Sequence, residues 1–205
     1  MRPEQLRLYL VTDRGLSLGR DIEWIVGEAV AGGVTMVQLR EKDIDTREFV
    51  ALGLRLKDLL APLGVPLNIN DRSDVQLAVG AVGVHIGQSD MPYELARQIL
   101  GPEKIIGLSV ETLDQVREAN LLDVDYIGVS PVYATPTKTD TAPPFGLEGL
   151  REAVALSRHP GVAIGGMNAD TAPAVLSTGI EGIAVVSAIC SAPDPRAAAA
   201  ALRAL

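Results

Sequence analysis

Cysteine is nearly missing from this chain: Cys190 stands alone, so no intramolecular disulfide can form and nothing resembles a zinc cluster. Aromatic residues are scarce as well, at 3%. Val, Ile, Leu and Ala must therefore fill the core, which favours layered α/β packing over an aromatic-rich sandwich. An excess of cations is also lacking. The formal net charge of -8 argues against a broad nucleic-acid surface, which needs clustered Lys and Arg. A few local cations still suffice for a phosphate ligand. No apolar stretch approaches the roughly 20 residues that cross a bilayer, so no membrane partner is expected. Residues 1–7 carry charges but no apolar segment of a secretory signal. There is no linker and no low-complexity break. With 205 residues, 47% of them hydrophobic, the expectation is one cytoplasmic domain over 1–205 with a sizeable core.

What is present is a steady alternation of short β-branched runs and longer amphipathic segments. Strands are expected at 8–12, 36–39, 67–70, 83–85, 105–109, 126–130, 162–164 and 182–186, each bounded by Gly, Pro, Asp or Asn. Between them lie helical patterns. The segment 21–31 carries Ile22, Ile25, Val26, Ala29 and Val30 at helical spacing. Thr46 is the expected N-cap before Phe49, Leu52, Leu56 and Leu59–Leu60, with Gly64 ending that helix. Thr112 opens another with Gln115 in the capping-box position, and Pro92, Asn168 and Asp194 mark further starts. The Ala-rich end at 197–201 reads as a last helix over the first strand.

Eight such units of roughly 25 residues fit a compact α/β fold, a single-domain (β/α)8 TIM barrel, which closes on itself and leaves no edge. An open doubly wound sheet would ask for a Gly-rich first turn, and after Thr12 the chain has Asp13-Arg-Gly-Leu-Ser instead.

In such a barrel the chemistry sits beyond the carboxyl ends of the strands. Strand two runs into Gln38-Leu-Arg-Glu-Lys42. Alternate side chains of an extended segment share a side, so Gln38, Arg40 and Lys42 are expected to face the barrel mouth while Leu39 and Glu41 point away. Three donors on one side suit phosphate oxygens, although a solvated charged loop would read the same way. Strand three ends in Asn70-Asp71, and the loop after Val84-His-Ile-Gly-Gln ends in Asp90. Two carboxylates beside a diphosphate make a Mg²⁺ site of hard oxygen ligands; taken singly, each suits helix capping instead. After strand six comes a long polar loop containing Thr135-Pro-Thr-Lys138, suited to a lid or binding loop. Gly165-Gly166 after strand seven and the amides at Val186-Ser187 after strand eight form an expected phosphate cradle. These features together point to an enzyme handling a diphosphate. His85, between Val84 and Ile86, is expected to be a packed interior histidine rather than a base. His159 before a Pro is read as structural, Cys190 as buried and inert, and Trp24 as a subunit contact in a homo-oligomer.

These motifs also carry a resemblance. Tyr9-Leu-Val-Thr-Asp13, Gln38-Leu-Arg-Glu-Lys42, Asn70-Asp71-Arg72, Val84-His-Ile-Gly-Gln-Ser-Asp90, Gly107-Leu-Ser-Val-Glu-Thr112, Thr135-Pro-Thr-Lys138, Ala163-Ile-Gly-Gly-Met167 and Val185-Val-Ser-Ala-Ile189 stand in order over nearly the whole chain. In them the sequence resembles the thiamine-phosphate synthase family, within the thiamine-phosphate synthase and thiazole tautomerase superfamily. The resemblance implies a Mg²⁺-dependent transferase, a thiamine-phosphate diphosphorylase. Such an enzyme joins 4-amino-2-methyl-5-(diphosphooxymethyl)pyrimidine to a thiazole phosphate, or its carboxylated form, and releases diphosphate by dissociative loss. It further implies that Gln38, Leu39, Arg40, Glu41, Lys42, Asn70, Ser109 and Lys138 bind the pyrimidine diphosphate. Asp71 and Asp90 would hold the metal. Thr135, Pro136, Thr137, Gly166, Val186 and Ser187 would contact the thiazole phosphate. Arg40, Lys42, Ser109 and Lys138 would be catalytic. A thiazole tautomerase, with no leaving group and His85 as base, and a non-catalytic phosphate-sensing barrel are the competing expectations.

Overall fold

Side chains alternate along each strand, and the alternation sorts the apolar residues into two separate cores. The computed structural model describes residues 1–135 and 142–205. Its strands are β1 (Leu8–Val11), β2 (Met36–Leu39), β3 (Leu67–Asn70), β4 (Gly83–Ile86), β5 (Ile105–Val110), β6 (Tyr126–Val129), β7 (Gly161–Ala163) and β8 (Gly182–Val185). Each pairs in parallel with its sequence neighbour, and β8 pairs back onto β1, so the sheet closes as the expected barrel. One residue of each strand pair points inward and the next outward. Tyr9, Val11, Met36, Tyr126, Val162 and Ala184 pack inside the barrel with Leu6. Their neighbours Leu8, Leu10, Val37, Leu39, Ile127, Val129 and Val185 pack outward against the helices.

The helices are α1 (Ile22–Ala31), α2 (Thr46–Leu60), α3 (Ser73–Val79), α4 (Tyr93–Leu100), α5 (Leu113–Ala119), α6 (Gly146–Leu156), α7 (Ala172–Leu176), α8 (Ser187–Cys190) and α9 (Pro195–Arg203). The Ala-rich α9 lies on α1 and reaches β1, as its composition predicts. Small side chains permit the approach: a Cβ on Gly32 would stand 2.3 Å from the Arg196 carbonyl oxygen.

Several boundaries differ from the sequence reading. Asp45, not Thr46, caps α2: its Oδ1 accepts the Glu48 N–H at 2.8 Å, and Thr46 is the first helical residue. Two good caps stand side by side there, and the one with extended backbone takes the role. Asn168 opens a turn rather than a helix. Its Oδ1 accepts from the amides of Asp170 and Thr171, and α7 begins at Ala172. Gly64 does end the α2 segment, in left-handed backbone, after one turn of 3₁₀ helix. Capping at α5 holds at Thr112, which accepts from Gln115 N; the Gln115 side chain reaches back to the Glu111 N–H instead of the cap's own.

Candidate active site

A cavity of about 830 Å³ opens at the carboxyl end of the barrel. Every described residue expected in the site lines it except Leu39 and Glu41. Gln38, Arg40 and Lys42 face it as the alternation requires. Leu39 is fully buried in the outer core, and Glu41 turns to the other side, where Arg14 grips both of its carboxylate oxygens at 2.9 and 3.1 Å. Pro136, Thr137 and Lys138 lie outside the described residues.

Arg40 and Lys42 on the rim each have a carboxylate beside them. Arg40 Nη1 donates to Asp13 Oδ2 at 2.8 Å, and its backbone N–H donates to the Thr12 hydroxyl at 3.0 Å. Lys42 Nζ donates to Asp71 Oδ2. Asp71 takes left-handed backbone, φ 59°, a conformation that Asp tolerates better than most residues. Its amide is tied to the His85 carbonyl at 2.8 Å. Its carboxyl lies beside that of Asp90, which accepts the Gly87 N–H at 2.7 Å.

Neither carboxylate caps a helix. The N-cap positions of α3 and α4 are Arg72 and Pro92, and neither makes a side-chain cap bond. Burial, together with the adjacent Asp71 carboxyl, raises the pKa of Asp90 above its ordinary value. Two facing carboxyls with one ammonium beside them are an arrangement that a hard divalent cation would satisfy. No group of three or more potential ligands exists among the described residues, so such an ion would complete its shell with water or phosphate oxygens.

The opposite wall is made of backbone and small residues. Gly165 and Gly166 have φ of 99° and 72°, and a Cβ on Gly166 would meet Tyr133 at 2.8 Å. The Thr171 hydroxyl fixes that turn by donating to the Gly166 carbonyl at 2.9 Å. Val186 and Ser187 stand beside it at the start of α8, and Thr135 at the edge of the described loop.

The floor of the cavity is a polar cluster in which sequence reasoning had singled out Gln38, His85 and Ser109 but given no role to Tyr9, Asn68 or Tyr126. Tyr9 and Tyr126 are wholly buried, with hydroxyls 2.9 Å apart. Gln38 Nε2 donates to Tyr9 Oη at 2.9 Å, and Asn68 Nδ2 lies 3.3 and 3.2 Å from the two phenol oxygens. His85 joins Tyr126 Oη through Nδ1 and Ser109 Oγ through Nε2, both at 2.9 Å. The signal available in the sequence was composition. Two of only four tyrosines occur at inward positions of strands, in a chain otherwise poor in aromatics. Gly107 makes room for one of them, since a Cβ there would stand 2.1 Å from the Tyr126 ring.

The remaining expectations outside the site are also placed. His159 Nε2 lies 3.0 Å from the Ala119 carbonyl oxygen. Cys190 is fully buried, and burial pushes its thiol up to about 11. Trp24 is 47% exposed with the Arg20 guanidinium over its ring. No helix among the described residues is long and apolar enough to cross a membrane.

Comparison with known proteins places this geometry. Residues 8–189 match the family model described as thiamine monophosphate synthase. A thiamine-phosphate synthase of Albidiferax ferrireducens is 58% identical over all of this chain and 94% of its own length. One from Vibrio parahaemolyticus is 55% identical over 94% of each chain. Among solved structures, thiamine phosphate pyrophosphorylase from Pyrococcus furiosus superposes with a TM-score of 0.90 at 42% identity, covering 98% of this chain and 96% of that one.

Proposed function

The chain belongs to the thiamine monophosphate synthase family, and from that premise we propose that it joins the pyrimidine diphosphate to a thiazole phosphate, giving thiamine phosphate and diphosphate. The observation that carries the reading is the convergence of Arg40, Lys42, Asp71 and Asp90 on one cavity rim, from β2, β3 and β4.

The chemistry asks little of a general base. The pyrimidine amino group donates electrons to the carbon that loses diphosphate, and the thiazole nitrogen attacks with a lone pair it already has. What must be stabilised is the negative charge that gathers on the leaving group. Arg40 and Lys42 bind its oxygens, with Lys138 as a third cation. Asp71 and Asp90 would hold Mg²⁺, which when bound supplies further positive charge beside the diphosphate. Arg40 is oriented for this by Asp13, so its fork meets the ligand without first being ordered. Gly166, Val186 and Ser187 on the facing wall take the thiazole phosphate, together with Thr135, Pro136 and Thr137. Ser109 lines the same cavity and positions the pyrimidine from below.

The same reading assigns the whole of 1–205 to one barrel domain working in the cytoplasm on small molecules, with self-association through the Trp24 face. A tautomerase would need a free base at the floor. His85 instead has both ring nitrogens within hydrogen-bonding distance of neighbours, Tyr126 and Ser109. The test is product formation: purified protein given both substrates and Mg²⁺ yields thiamine phosphate, identified by mass. Consumption of the thiazole alone, with no coupled product, would support the tautomerase instead.

A further inference from the structure

The polar cluster beneath the cavity has a direction. Tyr9 Oη receives the Gln38 Nε2–H at 2.9 Å and lies 3.3 Å from Asn68 Nδ2. With its lone pairs so used, its proton is left for Tyr126 Oη, 2.9 Å away. Tyr126 Oη then accepts from Tyr9 and from Asn68 Nδ2 at 3.2 Å, and its own proton goes to His85 Nδ1 at 2.9 Å. An imidazole whose Nδ1 accepts carries its proton on Nε2, which donates to Ser109 Oγ at 2.9 Å. The Ser109 hydroxyl, already an acceptor, has its proton left for the cavity.

We propose that Tyr9 and Tyr126 are positioning residues that lock His85 as the Nε2–H tautomer, so that Ser109 presents a hydrogen-bond donor to a lone pair of the bound ligand. The ligand atom is a ring nitrogen or a phosphate oxygen; an amino N–H does not fit. The identity of that ligand as the pyrimidine diphosphate rests on the function proposed above, but the tautomer does not.

Three observations support the relay. Both phenols keep their protons, because burial raises their pKa values above the ordinary tyrosine range. The two amide side chains that set the direction are themselves buried, side by side on β2 and β3. The missing side chain at Gly107 leaves the room that the Tyr126 ring fills, and the ring lies 5.5 Å from that of His85, tilted by 32°.

The chain has two histidines, which makes the test direct. Two-bond ¹H–¹⁵N correlation spectra of ¹⁵N-histidine-labelled protein, free of ligand at neutral pH, report which ring nitrogen is protonated. His159→Gln identifies the His85 signals. The expected pattern is a neutral His85 protonated at Nε2. In Tyr126→Phe the Nδ1–H form gains population, and KM for the pyrimidine diphosphate rises about tenfold, the worth of one hydrogen bond. KM for the thiazole phosphate stays as it was. A wild-type His85 protonated at Nδ1, or at both nitrogens, overturns the proposal, and this reading stands even where the variant does not fold. So does a folded Tyr126→Phe with a shifted tautomer and an unchanged KM for the pyrimidine diphosphate. Absence of any turnover in the wild type would count against the proposed reaction and leave the tautomer result intact.

Discussion

Arg40 Nη1 lies 2.8 Å from Asp13 Oδ2, joining the residues that follow β1 and β2 before any ligand arrives. Neither side chain is fully exposed, so the pair is shielded from much of the solvent screening that weakens surface ion pairs. Asp13 thus works as a bracket for the guanidinium.

Asp13→Ala frees Arg40 to adopt many rotamers. Binding must then order it, and the loss falls on substrate affinity. The expected result is a rise of about tenfold in KM for the pyrimidine diphosphate with a smaller change in kcat, read by steady-state kinetics. An unchanged KM would show that Arg40 needs no bracket.

Asp71→Ala and Lys138→Ala remove groups assigned to the departing diphosphate. Turnover should fall by at least about a hundredfold in each, in line with the loss of one preorganised electrostatic contact. Circular dichroism should show the fold retained; Asp71 follows β3 rather than filling a core. Wild-type rates in either folded variant would refute the assigned role.

Gly107→Ala tests the inner core. A methyl at 2.1 Å from the Tyr126 ring cannot be accommodated without moving that ring. Overpacking of this kind costs about 1–3 kcal/mol, to be read as a lowered urea midpoint. The variant should also lose activity, because Tyr126 carries the floor network.

Cys190 should resist thiol reagents in the folded protein and react at once when urea is added, because it is buried and its thiol is pushed up to about 11. Its linkage has a definite sign. The unfolded chain releases this proton near the ordinary value of 9.0 while the folded chain holds it until about 11. The stabilisation is therefore fully present below 9.0 and is lost as pH rises toward 11. Cys190→Ala should remove that part of the alkaline decline, measured by denaturation at a series of pH values.

The barrel was legible because each strand is a short apolar run with turn residues at both ends. Strand ends slipped by a residue or two, as at Thr12, Ser130 and Val186. Those residues continue the apolar or extended pattern, and at Thr12 and Ser130 one backbone bond to the neighbouring strand persists, Thr12 N–H to Gln38 O at 2.9 Å and Ser130 N–H to Val110 O at 3.0 Å, after the regular pairing has ended. The rim residues were legible for a related reason: polar side chains immediately after strands have few other places to go. Period-two alternation correctly separated Gln38, Arg40 and Lys42 from Leu39 and Glu41. The bracket at Asp13 and the meeting of Tyr9, Asn68 and Tyr126 beneath the cavity were not legible, although His85 was correctly expected inside the barrel. Their partners come from β1, β3, β4 and β6, and the register that brings them level is a property of the closed sheet. No local pattern in the sequence records which inward residues meet across a barrel.

The central claim is that cations and a carboxylate-bound Mg²⁺ carry the charge of a departing diphosphate. Its most direct test is a diphosphate-release assay on the purified chain with both substrates, with and without Mg²⁺. The expected result is release of one diphosphate per thiamine phosphate formed, abolished by a chelator and restored by Mg²⁺. Product formed without diphosphate, or diphosphate released at the same rate in the presence of the chelator, would contradict it.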